Sequence, residues 1–214
     1  VQPIIGAQIT MDDGKQIVLL CQNHDGYLNL CKLVSDAYMS GAGGKDFVAK
    51  YEDVAANSSG IICLSGGGAS GVVDEARLKF LHKAFGDRFY IELQRHGLHA
   101  EEIAEDFLLD FASQNNVPLV ATNDCYFADP SMHEAHDALL CIAEGRYVTE
   151  SDRLKATKHH FFKSSEDMEK MFEDLPEAIE NTRVIAQRCS FLLKPVKPIL
   201  PPFKTDSGRG EVEE

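Results

Sequence analysis

Three short apolar runs, each ending in polar or glycine-rich residues and followed by a helical segment, constrain this chain more than any other feature. Gly60-Ile61-Ile62-Cys63-Leu64-Ser65 passes into the glycine loop Gly66-Gly67-Gly68-Ala69-Ser70-Gly71. Residues 72–85 then carry Val73, Ala76, Leu78, Leu81 and Ala84 at helical spacing. Arg88-Phe89-Tyr90-Ile91-Glu92-Leu93 runs into Gln94-Arg95-His96-Gly97, and a long helix is predicted over 101–115 with Ile103, Phe107, Leu108 and Phe111 inward. Val117-Pro118-Leu119-Val120-Ala121 breaks into Thr122-Asn123-Asp124 before Cys125-Tyr126-Phe127. Strands alternating with helices at this pitch require βα units and a mainly parallel sheet. Sites in such sheets lie at the carboxyl ends of the strands, so Asp124 is the first candidate for chemistry.

Two further strands are predicted at 3–10 and 16–21, separated by the turn Asp12-Asp13-Gly14-Lys15. That makes about five in all. Helices are predicted over 27–39 and 47–55, with the glycines at 41, 43 and 44 marking a loop between them. After Asp129-Pro130 the texture changes. A helix is predicted over 131–142, with Pro130 at its start, followed by a polar stretch from 144 to 158 without periodicity. Ser164 and Asp167 form a capping pattern for the next helix, and Leu175-Pro176-Glu177 opens the last, to about Cys189. Pro195, Pro198, Pro201, Pro202 and three closing acids read as a tail.

The net charge of −13 disfavours a phosphate backbone as partner for the chain as a whole, though not a local basic patch. No run reaches the roughly 18 apolar residues of a membrane span. Six cysteines without a C-x-x-C pair, three of them (Cys21, Cys63, Cys125) in or beside apolar runs, read as reduced buried thiols.

His133 and His136 sit one helical turn apart and read as a solvated helix face, with a metal pair as the alternative. His159 and His160 are adjacent and cannot both enter one pocket from a regular element. His96, at a strand end, either lines a cleft or makes a structural loop hydrogen bond. The Gly66-Gly67-Gly68 loop reads as a tight βα turn, with a phosphate cradle as the alternative. Asp124 could pair with Glu92 or Asp129 for acid–base work, although Asp129 before Pro130 fits a cap better.

Several stretches together resemble the PHP (polymerase and histidinol phosphatase) domain of bacterial replicative DNA polymerase III alpha subunits. They are Pro3-Ile4-Ile5-Gly6-Ala7-Gln8, Gly26-Tyr27-Leu28-Asn29-Leu30 with Ser35, Ala37 and Tyr38, and Gly60 to Gly67. Phe89 to Gly97 and Ala121-Thr122-Asn123-Asp124 with Tyr126-Phe127 match as well. So does Phe162-Lys163-Ser164 through Leu175-Pro176-Glu177-Ala178 to Asn181-Thr182.

This resemblance implies a distorted β/α barrel of the PHP type, of which about five mainly parallel strands fall within the chain. The family's opening strands, with their H-x-H motif, are expected ahead of residue 1. The domain then occupies 1–143, a mainly helical segment leading toward the polymerase palm occupies 144–203, and 204–214 form a flexible tail.

In metal-binding relatives His, Asp and Glu hold about three metals. Gln8 stands at a Glu position, Gln16 at a His position, Gly67 at a His or Cys position and Tyr126 at the last His, while Asp124 is retained. Gln and Tyr are neutral replacements, and one carboxylate cannot hold a polynuclear cluster. The expectation is therefore a non-catalytic module without a metal or other cofactor of its own, Mg belonging to the parent polymerase. Its expected partners are the proofreading exonuclease subunit and the rest of the polymerase holoenzyme. DNA is contacted through the parent protein, no membrane is involved, and the location is cytoplasmic. The alternative is a phosphoesterase or proofreading nuclease with Zn or Mn held by Asp124, His96 and ligands preceding residue 1.

Overall fold

The structure, a computed structural model, describes residues 2–40, 48–67 and 70–197. The loop glycines 41, 43 and 44, residues Phe47, Gly68 and Ala69, and the tail from 198 lie outside the described residues.

Five strands, β1 (Gly6–Thr10), β2 (Gln16–Cys21), β3 (Ile61–Leu64), β4 (Phe89–Leu93) and β5 (Leu119–Ala121), form one sheet in sequential order. The number is as the sequence predicts. The pairing sense divides the sheet in two. β3, β4 and β5 are parallel neighbours, whereas β1–β2 and β2–β3 are antiparallel. The parallel character is thus confined to the three strands whose connections contain one crossover helix each. These helices are α3 (Glu75–Phe85) and α4 (His99–Asn115). β1 and β2 are joined by five residues around Gly14, far too few for a parallel crossover, so they close as a hairpin.

Between β2 and β3 lie α1 (His24–Ser40) and α2 (Tyr51–Ala56). α1 starts three residues before the predicted 27, because the Asn23 side chain accepts from the Gly26 N–H and caps the turn. Gly26 packs on Gly60 so closely that a Cβ would fall 1.9 Å from the Gly60 carbonyl oxygen, and the φ of +69° at Gly60 also demands glycine. α3 starts at 75, later than predicted, because Asp74 takes the N-cap and accepts from the Arg77 N–H.

Side chains alternate across the sheet and build two cores. Ile9, Ile17, Leu19, Cys21, Ile61, Cys63, Phe89, Ile91, Leu93, Leu119 and Ala121 face the larger one, shared with α1 to α4. Val18, Leu20, Ile62, Leu64, Tyr90 and Val120 face the other way, against Ile185 and Cys189. Those two residues belong to and follow the last helix, α7 (Pro176–Arg188). The inward face of α4 is Ala104, Leu108, Phe111 and Ala112, with Phe107 half-buried. Ile103, expected inward, is 65% exposed because it lies off that stripe.

α5 (His133–Glu144) follows a short 3-10 turn over Pro130–Met132, which Asp129 caps by accepting from the Ser131 N–H. α6 (Ser165–Met171) opens with the expected box, in which Ser164 and Asp167 bond each other's backbone N–H. Among the cysteines, Cys21, Cys63, Cys141 and Cys189 are buried free thiols. Cys125, expected buried, is exposed together with Cys31, since β5 has already ended at Ala121. Among the described residues no helix is long and apolar enough to cross a membrane.

Candidate functional site: the polar rim of the sheet

The strand directions bring the carboxyl ends of β1, β3, β4 and β5 and the amino end of β2 to one rim. Alternation then places Gln8, Gln16, Glu92, Gln94 and Thr122 on the face opposite the larger core. Four of the positions singled out from sequence, Gln8, Gln16, Gly67 and Asp124, lie along this rim. Tyr126 stands two residues beyond.

Each of the replaced positions is occupied in a way that closes it. Gln8 Nε2 donates to Gln16 Oε1 at 2.6 Å, so the two amides satisfy one another across the hairpin. Gly67 lies against the Gln94 side chain, and a Cβ there would come within 2.2 Å of the Gln94 Cδ. Gln94 Nε2 in turn donates to Thr122 Oγ1 at 3.0 Å. Among the described residues no three His, Cys, Asp or Glu side chains converge so as to hold a metal ion. The donor set at these positions, two amides bonded to each other, a glycine and a phenol, does not fit a polynuclear centre.

Glu92 is the rim's deepest carboxyl, only 3% exposed. Its backbone N–H donates to Ser65 Oγ at 2.9 Å. Its Oε1 accepts from Thr122 Oγ1 at 2.5 Å, while Oε2 has no partner among the described residues. Burial pushes the carboxyl up to about 7, and the charge of Asp124 adds to this; the bonds from Thr122, Gly66 and Gln94 pull the other way. Glu92 and Asp124 are thus electrostatic neighbours, as one of the two pairings considered from sequence requires.

His96 does not line a cleft. It is 1% exposed, and both ring nitrogens are engaged. Nδ1 lies 2.8 Å from Glu101 Oε1, and the His96 backbone N–H donates to Glu101 Oε2 at 2.7 Å. Nε2 is 3.1 Å from both the Asp124 N–H and Asn123 Oδ1. An amide N–H can only donate, so Nε2 accepts from Asp124 and the proton on Nδ1 belongs to Glu101. Burial works to raise the Glu101 carboxyl, but the hydrogen bonds from His96 and Leu98 outweigh it and hold the group below its ordinary value.

Asn123, not Asp124, is the anchor of the rim. Asn123 Oδ1 accepts from Lys163 Nζ at 2.7 Å, and Asn123 Nδ2 donates to the Phe161 carbonyl at 2.9 Å. Lys163 is 7% exposed; it also donates to the His159 carbonyl, and burial lowers its ammonium below the usual lysine range. Thr157 Oγ1 donates to the His96 carbonyl at 2.7 Å, and the backbone pairs through Tyr126 N–H to His160 O and Phe162 N–H to Phe127 O. The Asp124 carboxylate, expected to hold the neighbouring loops, receives only a 3.4 Å bond from the Tyr126 hydroxyl. Segment 157–163 is thereby strapped to the rim.

Four rings stack outward from the buried end. His96 and His160 lie 4.1 Å apart, His160 and Tyr126 4.8 Å, and Tyr126 and His136 5.7 Å, all within 11° of parallel. The predicted solvated face of α5 is therefore covered on this side: His136 stacks on Tyr126, and His133 Nε2 lies 2.9 Å from the Ala156 carbonyl oxygen. His159 and His160 diverge, as their adjacency requires. The largest groove, about 820 Å³, lies between the end of α4 and the start of α7, away from this rim. Sequence reading missed Lys163, Gln94 and Thr122 as members of the site. Lys163 carried a signal, a basic residue between two aromatics and a helix cap, but its partner is 40 residues away.

Residues 1–96 match the PHP domain family. Along its whole length the chain is similar to the DNA polymerase III subunit alpha of Caulobacter vibrioides, at 46% identity over 236 aligned positions, covering 100% of this chain and 21% of that protein. The protein of the same name from Rickettsia bellii is 37% identical over 95% of this chain and 19% of its own length. That from Haemophilus influenzae is 36% identical over 95% and 19%. The chain spans about a fifth of the length of the curated relatives it matches.

Proposed function

We infer that this chain, which belongs through residues 1–96 to the PHP domain family and along its whole length is similar to DNA polymerase III alpha subunits, is a non-catalytic structural module of a replicative polymerase. The observation that carries this reading is the use made of the rim. Its side chains bond one another or fasten segment 157–163, so the groups that would bind and activate a phosphoester are already committed. Nucleotidyl transfer, with its Mg, belongs to the parent polymerase. The rim holds the chain that leads from the sheet toward α6 and α7, and in this way fixes the sheet relative to whatever follows in the longer protein. The partners proposed for the module are the proofreading exonuclease subunit and the remaining holoenzyme, in the cytoplasm.

The test is metal analysis of the full chain after equilibration with zinc or manganese, together with assays for phosphoester hydrolysis. The expected result is no stoichiometric metal and no hydrolysis, with retained binding of the exonuclease subunit from the same organism. Stoichiometric metal, with hydrolysis abolished by Asp124→Ala, would replace this reading with the nuclease or phosphoesterase one.

A further inference from the structure

We propose that the cavity between α5 and the strip 154–160 binds a single nucleoside phosphate. The cavity is about 370 Å³, in the range of small-molecule sites, and its wall includes Tyr126, His136, Leu140, Leu154, Lys155 and His160. Three features of this wall point to the same ligand.

The first is a local inversion of charge. Within a chain of net charge −13, the run Arg153-Leu154-Lys155-Ala156-Thr157-Lys158-His159-His160-Phe161-Phe162-Lys163 contains four cations, two imidazoles, two phenyl rings and no carboxylate. Arg153 is spent on Asp137, at 2.5 and 2.7 Å, and Lys163 is buried against Asn123. Lys155 and Lys158 are exposed and make no hydrogen bond or ion pair among the described residues. They are left to meet an anion. The second feature is the ring column, in which His160, Tyr126 and His136 lie parallel along the wall, with apolar Leu140 and Leu154 beside them. Such a surface accepts a flat heteroaromatic ring of any sequence identity. The third is an unsatisfied polar atom: His136 Nδ1 is shielded from solvent without a partner among the described residues. A buried ring nitrogen left unpaired is costly, and the edge of a base supplies the missing hydrogen bond.

A planar ring with hydrogen-bonding edges and an attached phosphate meets all three demands at once. An uncharged aromatic leaves the two lysines unused, and inorganic phosphate leaves the ring wall unused. The acidity of the rest of the chain opposes a long polyanion, which favours one nucleotide over a strand.

The probe is 2′-deoxyadenosine 5′-monophosphate, titrated into the full chain and followed by saturation-transfer NMR. 2′-Deoxyadenosine, inorganic phosphate and a short oligodeoxyadenylate serve as separate arms. Saturable binding is expected for the monophosphate, weaker binding for the nucleoside, and none for phosphate alone. Lys155→Glu, a surface change, and His136→Phe, which keeps a stacking ring, are each expected to weaken binding about tenfold. Melting curves confirm that both variants remain folded. A strand gaining affinity only in proportion to its number of bases identifies the free nucleotide as the ligand, whereas a steeper gain identifies a base within a strand. No saturable binding, binding indifferent to both variants, or binding of the strand without the monophosphate overturns the proposal.

Discussion

Glu92 shows how burial alone can change the role of a residue at the rim. A carboxylate in this position would leave Oε2 charged and unpartnered in a region of low dielectric, beside the charge of Asp124. The folded chain therefore keeps its proton to about pH 7, while in the unfolded chain the group ionises near its ordinary value of 4.5. Because the folded state binds the proton more tightly, stability is fully present below the unfolded value. It is lost as the pH rises from there through the folded value, and then levels off. A shift from 4.5 to about 7 corresponds to roughly 3 kcal/mol across that window. Glu92→Gln, which mimics the protonated side chain, is expected to flatten the dependence of Tm on pH and to exceed the parent in Tm above neutrality. Thermal melts over the acid-to-neutral range check this; an unchanged slope in the variant would assign the pH dependence to another group. Asp124 is a source of field here, not a ligand.

The strap 157–163 depends on a few long-range bonds. Asn123 bonds Lys163 through its oxygen and the Phe161 carbonyl through its nitrogen, so Asn123→Ala strands a buried ammonium and a buried carbonyl together. The expected cost is about 2–4 kcal/mol, with faster amide exchange in 157–163 and little change in α3. In Asn123→Ala/Lys163→Met the unpaired charge is gone, so the double variant should recover part of that loss in a double-mutant cycle. Strictly additive effects would mean that the two side chains do not act as a unit. Most elements of the fold were legible in sequence, because 61–64, 89–93 and 119–121 are continuous apolar runs and α4 carries a period of 3.6. The sense of strand pairing was less legible: β1 and β2 look like any other strand, and only the five-residue connection dictates a hairpin. The rim positions were legible through family resemblance. Their new partnerships were not, since Gln8–Gln16, Gln94–Thr122 and Asn123–Lys163 depend on which side chains the finished sheet brings together. Ile103 misled because the apolar residues of α4 spread over more than one face.

At the scale of the whole molecule, the two faces of the sheet are finished by distant parts of the chain. The larger core is closed by α1 to α4, but the second face relies on α7, where Ile185 and Cys189 cover Ile62, Leu64, Tyr90 and Val120. Polar ties reinforce this docking: Asn181 Nδ2 donates to the Leu119 carbonyl at 2.8 Å, and Arg188 Nη1 to the Tyr90 hydroxyl at 2.9 Å. Arg95 fastens the turn between α6 and α7 by forking onto Glu105 and Asp174 above the Phe172 ring. A sheet with one face uncovered would expose a continuous apolar surface, so the helices after 144 complete the core instead of trailing from it. We therefore expect the chain to unfold as one unit in calorimetry, with equal calorimetric and van't Hoff enthalpies. Ile185→Ala, which opens a cavity under β3 to β5, should cost about 2–4 kcal/mol and lower the Tm of that single transition. If the variant instead splits the trace, with an early transition confined to α6 and α7 and an unshifted main one, then the sheet is stable without its second cover. In that case the strap at Asn123 and Lys163 is a connection between two bodies, not a seam within one.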